Sequence, residues 1–254
     1  MTEAGAEVKD VKVGDRVIIS CVSTCMDCSY CREGLTSHCQ AMGGIGWVFG
    51  HLIDGTQAEL VRVPFADNGL IPLPEGDTVL VVGAGPVGLS AIMTAAAKGA
   101  STIIAVDGNE FRLEAARRFG ATHVFTPGEE TLGRINELTA DGLGVDVAME
   151  AVGIPATFQM CVDAIRPGGH VANLGVHGKP VEFALDREWI NNITITTGLV
   201  NATTAPELLG RIQDGSIHPE EFVTHRFTFD QWDEAYETFK NAAQQKALKV
   251  IISA

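Results

Sequence analysis

The chain has 254 residues, 46% hydrophobic and 20% charged, which is enough apolar material for one or two packed domains and argues against global disorder. Eighteen basic against 32 acidic side chains leave a net charge of −14, so the surface has no electrostatic footprint for a nucleic-acid backbone or an anionic membrane. The first residues (Met1, Thr2, Glu3, Ala4) have neither the basic region nor the apolar run of a secretory signal, and a cytoplasmic location is expected.

Residues 8–75 read as short strands punctuated by glycine. Val11, Val13, Val17, Ile18 and Ile19 flank a Gly14-Asp15 turn, and Ala58 to Val63 alternates in strand fashion. Within this stretch Cys25, Cys28, Cys31 and Cys39 follow the spacing C-x2-C-x2-C-x7-C. Four soft thiolates so close in sequence suit one tetrahedral zinc. The rival is an iron–sulfur cluster, whose bacterial pattern shares the first two gaps but then has three residues and a proline. Here Gln40 follows Cys39, which favours zinc. A four-cysteine shell leaves no open coordination position, so the metal would be structural, with Tyr30 and His38 as surface or packing residues of the lobe.

From residue 78 the texture changes. Strand-like runs at 78–83, 102–106, 122–126, 145–149, 169–174 and 192–197 enclose helical patterns at 87–98, 110–119, 129–139 and 155–165. This alternation predicts a doubly wound parallel α/β sheet. The stretch 175–191 reads as loop, and a helix (205–213), a strand (224–229), a helix (231–241) and a last strand (248–252) follow. Thr78 to Ala97 has no charge and is long enough for a membrane span, but its glycines and Pro86 divide it into a strand, a turn and a helix.

Strand 78–82 runs into Gly83-Ala84-Gly85-Pro86-Val87-Gly88, a G-x-G-x-x-G pattern opening a helix. In this pattern the first glycine permits a tight turn, the second lets backbone approach a pyrophosphate, and the third lets the helix pack close to the strand. Asp107 ends the second strand, where a carboxylate would hydrogen-bond a ribose 2′-OH and repel a 2′-phosphate, favouring NAD over NADP.

Together these segments resemble the zinc-containing medium-chain alcohol dehydrogenases. The resemblance rests on Val13 to Val17, the cysteine lobe, Asp54 to Glu59, Val82 to Gly88, Glu150-Ala151-Val152-Gly153 and Pro167-Gly168-Gly169. It implies a β-rich, GroES-like catalytic-type domain over 1–76 and an NAD-binding Rossmann domain over 77–200. A C-terminal segment, 201–254, would then return to the first domain. It further implies cofactor contacts from Gly83, Gly85, Pro86, Val87, Gly88, Asp107, Arg112, Ala151, Val152, Gly175, His177, Thr197, Gly198 and Leu199. Of these, His177 follows the fifth strand, where the family places the nicotinamide, although an ordinary loop histidine reads equally well.

Two departures stand against the resemblance. Family members hold a second, catalytic zinc with an early Cys, a Gly-His-Glu motif and a later Cys or Asp. The Gly-His-Glu segment would precede Ala6, and the later ligand would fall between Gly76 and Asp77, which abut here. Cys21 and His51 are the only replacement candidates, and two ligands do not complete a site. The expected activity is hydride transfer between NAD(H) and a small alcohol, aldehyde or ketone without catalytic zinc; the alternative is a non-catalytic NAD-binding sensor or remnant. A homodimer joined through strand 192–198 is a further implication of the resemblance.

Overall fold

The computed structural model describes residues 23–33, 35–46, 76–198 and 205–253. The described residues fall into two compact units. One contains the cysteine lobe and helix α7 (Ala205–Gln213); the other contains 76–198 and 215–253.

The larger unit is built on a six-stranded parallel sheet of order β3-β2-β1-β4-β5-β6. Its strands are β1 (Thr78–Val82), β2 (Thr102–Val106), β3 (His123–Phe125), β4 (Val145–Glu150), β5 (Ile165–Asn173) and β6 (Thr194–Thr197). The expected doubly wound α/β architecture is therefore present, and the strand order reverses at a switch point between the neighbours β1 and β4. Helices α2 (Pro86–Ala97), α3 (Glu110–Arg118), α4 (Thr131–Asn136) and α5 (Pro155–Ala164) connect the first five strands.

The alternation of β1 explains why this sheet is buried on both faces. Val79 and Val81 enter one hydrophobic layer with Leu89, Ile92, Ala115 and Phe119. Leu80 and Val82 enter the opposite layer with Ile135, Phe158, Cys161 and Val162. Successive side chains of a strand point to opposite faces, so an uninterrupted apolar run needs cover on both. The uncharged run 78–97 is thus β1, a turn and α2. Among the described residues no helix is long and apolar enough to cross a membrane.

Two elements differ from the sequence reading. The stretch read as loop contains a short helix, α6 (Leu185–Glu188), whose Glu188 is buried and held by Arg187 and Asn191. β5 begins at Ile165, ahead of the Pro167-Gly168-Gly169 turn signal, and its pairing with β4 shifts register between Val145 and Val147. Within the segment 201–254, expected to return to the first domain, helix 205–213 clusters with the cysteine lobe and residues 215–253 with the sheet unit. Phe222 meets Phe119 edge to face at 4.5 Å, and Leu248 joins the same layer. Two parallel strands, β7 (Val223–Thr228) and β8 (Lys249–Ser253), are bridged here by helix α8 (Trp232–Lys240).

Candidate dinucleotide site and cysteine lobe

The glycine turn lies at the carboxyl end of β1, beside the switch point. Gly83 has φ +98°, which favours glycine, and a Cβ there would collide with the Val152 side chain. Gly88 sits so close to the carbonyl of Gly83 that a Cβ would overlap it, and Val81 Cγ1 would lie at 3.4 Å. Gly85 is the opposite case, because a Cβ there would meet nothing within 4 Å. The first and third glycines serve the protein's own packing, while the second borders open space. That is the division of roles a pyrophosphate-binding turn requires. Helix α2 starts at Pro86 behind its N-cap Gly85, with no side-chain cap and no acidic residue in its first turn, so nothing of the helix's own occupies its free N–H groups.

Asp107 is tied into this turn. Its Oδ2 accepts the N–H of Ala84 at 2.8 Å, and its Oδ1 accepts the N–H of Asn109 at 2.8 Å. The Arg112 guanidinium stands 3.8 Å from Oδ2. Sequence reasoning placed Asp107 at the strand end but missed its bond to the glycine turn, which joins residues 23 apart in sequence. Each carboxylate oxygen has a second lone pair, so a ribose hydroxyl can still be accepted.

Across the switch point, the loops after β4 and β5 pack backbone against backbone. A Cβ on Gly153 would run into the Val176 backbone, and one on Gly175 would meet both Gly153 and the Glu150 carboxylate. Glu150 is fully buried at the end of β4. Its Oε1 accepts N–H groups from Val152 (2.9 Å) and Gly153 (2.8 Å) and the hydroxyl of Thr157 (2.6 Å). Its backbone carbonyl accepts the N–H groups of Leu174 (2.8 Å) and Gly175 (3.0 Å).

His177 turns its ring inward: Nε2 lies 2.8 Å from Asn173 Oδ1 and 3.4 Å from Glu150 Oε2. Val176, beside it, is 93% exposed. Of the remaining expected cofactor residues, Thr197 ends β6 and Gly198 follows it, whereas Leu199 lies outside the described residues. So do Cys21 and His51. Cys161 is buried in the core, where burial raises its thiol.

In the smaller unit, helix α1 (Ser29–Arg32) follows Cys28, and two short 3-10 turns flank Cys39. The four cysteine sulfurs lie within 4.8 Å of one another, and Cys25 and Cys31 are 4.0 Å apart. A tetrahedron with Zn–S of about 2.3 Å has edges of about 3.8 Å, so the donor set and its spacing fit zinc. N–H groups point at the sulfurs: Cys25 to Cys39 at 3.3 Å, Cys28 to Cys25 at 3.4 Å and Gln40 to Cys28 at 3.4 Å. The N–H groups of Gln40 and Cys31 lower the Cys28 thiol to about 6, whereas burial pushes Cys31 up to about 12. The lobe is closed by Ser23 N–H on Gly46 and Gly46 N–H on Ser37.

Comparison with known proteins agrees with this arrangement. Residues 1–75 match the alcohol dehydrogenase GroES-like domain, and residues 86–214 match the zinc-binding dehydrogenase family. An alcohol dehydrogenase of Cupriavidus necator is 31% identical over 98% of this chain and 80% of its own length. Sorbitol dehydrogenase of Bacillus subtilis is 33% identical over 98% of the chain and 76% of its own. The apo structure of zinc-dependent alcohol dehydrogenase 2 from Streptococcus pneumonia superposes with a TM-score of 0.89 at 44% identity, covering 98% of this chain and 79% of that one. With the two domain matches, the parallel sheet and the four-cysteine cluster in agreement, the chain belongs to the zinc-type medium-chain alcohol dehydrogenase family and is a dehydrogenase of that type.

Proposed function

We propose that the chain binds NAD(H) at the glycine turn and transfers hydride between nicotinamide and a small alcohol, aldehyde or ketone, with one structural zinc in the cysteine lobe and no catalytic zinc. The observation that carries the cofactor reading is the division of the three glycines, with Gly83 and Gly88 packed against protein and Gly85 facing open space. Asp107 supplies the preference for NAD, since its carboxylate can accept a ribose 2′-hydroxyl and opposes a 2′-phosphate. Pro86 and Val87 open the helix at the pyrophosphate side. Ala151, Val152, Gly175, His177, Thr197 and Gly198 belong to the half of the sheet that would take the nicotinamide.

A bound dinucleotide supplies the hydride chemistry. The chain's own part is to hold the two mononucleotide halves across the switch point and present one face of the nicotinamide to substrate. The metal-free reading draws on the length of the family alignment. It runs over 294 positions against 254 residues here, so at least 40 positions carry no residue of this chain. Without a Lewis acid, the developing oxyanion needs a hydrogen-bond donor, and activated carbonyls are the favoured substrates.

Fluorescence titration with NADH and NADPH tests the cofactor reading. Tight binding of NADH over NADPH is expected; equal affinity for both would overturn the role given to Asp107. A protein that binds NADH but turns over no substrate would instead be a non-catalytic sensor or remnant. β6 closes the sheet as an exposed edge strand, and a second copy of the chain is the proposed partner there, which analytical ultracentrifugation would detect as a dimer.

A further inference from the structure

Among the described residues, two of the buried side-chain atoms without a hydrogen-bond partner belong to neighbours: Glu150 Oε2 and His177 Nδ1. They lie in one cluster with Asn173, under the loops that follow β4 and β5. We propose that Glu150, with His177 and Asn173, is a latch of positioning residues. It locks these two loops together and so shapes the nicotinamide half of the dinucleotide site through their backbone, His177 acting through its inward-turned ring in place of the direct cofactor contact that the resemblance implies. The proposal rests on the dinucleotide reading above.

The argument starts from hydrogen-bond direction. Asn173 donates its Nδ2 to the carbonyl of Gly175 at 2.9 Å, which fixes the amide so that its Oδ1 faces His177. An amide oxygen only accepts, so the His177 Nε2 at 2.8 Å must bear the proton. The same Nε2 stands 3.4 Å from Glu150 Oε2, so its N–H, bonded to Asn173, also attracts the carboxylate oxygen, which has no hydrogen-bond partner of its own. The β5 loop therefore returns a donor toward the carboxylate that already holds the β4 loop through Val152, Gly153 and Thr157.

Few alternatives remain for that carboxylate. It is 0% exposed, and leaving one oxygen of a buried carboxylate without a donor is costly. The His177 ring is further walled by Phe158, edge to face at 6.2 Å. With Gly153 and Gly175 admitting no side chain between the loops, any change in the latch passes directly to their backbone. The glycine turn and Asp107 follow β1 and β2, in the other half of the sheet, and Asp107 binds Ala84 directly. The halves touch where the Val152 side chain packs on Gly83, so His177→Leu, which leaves the Glu150 bonds to Val152 and Gly153 in place, is the variant that should act on the nicotinamide half alone.

The test compares NADH with ADP-ribose, which lacks the nicotinamide, by calorimetric titration of the full-length protein and of the Glu150→Gln and His177→Leu variants. Thermal melts run alongside. Glu150→Gln sets an amide N–H₂ against the Nε2–H of His177, and His177→Leu removes the donor. Each variant should weaken NADH about three- to tenfold, the worth of one hydrogen bond, and His177→Leu should leave ADP-ribose within about twofold. The double variant should lose no more than the worse single one, because both break the same link. Equal weakening of both ligands by His177→Leu would mean general damage and would overturn the latch, as would unchanged NADH affinity in both variants. If Glu150→Gln does not fold, His177→Leu decides alone. A wild-type protein that binds neither ligand would instead overturn the dinucleotide reading, an outcome separate from failure of the latch.

Discussion

Replacing Gly88 and Gly85 in turn by alanine separates packing from binding within one six-residue turn. At Gly88 a Cβ would overlap the carbonyl of Gly83 and come within 2.9 Å of its carbon and 3.4 Å of Val81 Cγ1. The obstructing atoms are mainly backbone, so α2 has to move away from β1. Overpacking of this kind costs about 1–3 kcal/mol. For a protein of this size the melting temperature should fall by roughly 2–12 °C, at about 2–4 °C per kcal/mol. At Gly85 the backbone is not in the left-handed region, and a Cβ would meet nothing within 4 Å. The entropy gained in the unfolded chain and the loss of a favoured cap residue roughly offset each other, so stability should stay within about 0.5 kcal/mol of wild type. That Cβ does enter the space assigned to the pyrophosphate, so Gly85→Ala should weaken NADH at least tenfold. Differential scanning fluorimetry and NADH titration read both variants. A Gly88→Ala protein melting with wild type would refute the packing argument, and a Gly85→Ala protein binding NADH normally would refute the site.

Further outcomes follow from the same geometry. Asp107→Asn can accept only one of the two N–H groups held by the carboxylate, so about 1–3 kcal/mol of stability should go and the preference for NADH over NADPH should narrow; unchanged discrimination in titrations would refute the role of Asp107. Zinc uptake by the lobe should depend on pH. Cys28, lowered to about 6, is a thiolate above that pH and loses its charge as pH falls through it, whereas Cys31, raised to about 12, must surrender a proton to the metal. Affinity should therefore rise with pH and drop steeply below about 6, with proton release on binding at neutral pH. Binding that is flat with pH in a competitive-chelator titration would contradict this. Cys39→Ser should reduce zinc content by elemental analysis without abolishing NADH binding, since the lobe and the glycine turn belong to different compact units.

The sheet was legible because its code is local. Val79 to Val82 is apolar at every position, as a strand buried on both faces must be, and the glycine turn marks where it stops. The cysteine lobe was legible from spacing alone, since four thiolates within 15 residues can close on one ion. What stayed hidden depends on tertiary burial. Glu150 follows an apolar strand as a charge that sequence would place at an exposed edge, yet it is fully buried because two loops fold over it. Glu188 was missed for the same reason, and the brief α6 around it carries no periodicity long enough to register. The early start of β5 was masked by Pro167 and two glycines, which signal a turn although Ile165 pairs with Val145 before the register shifts.

The central claim, hydride transfer without a catalytic metal, is tested most directly by NADH oxidation against a panel of aldehydes, ketones, α-hydroxyketones and keto acids. The assay is run with and without a chelator too weak to strip the four-cysteine site, with zinc content measured in parallel. Turnover should occur, be greatest for activated carbonyls, and persist in the chelator with one zinc retained per chain. Activity that disappears while that one zinc stays bound would contradict the claim and show that a second metal carries the chemistry.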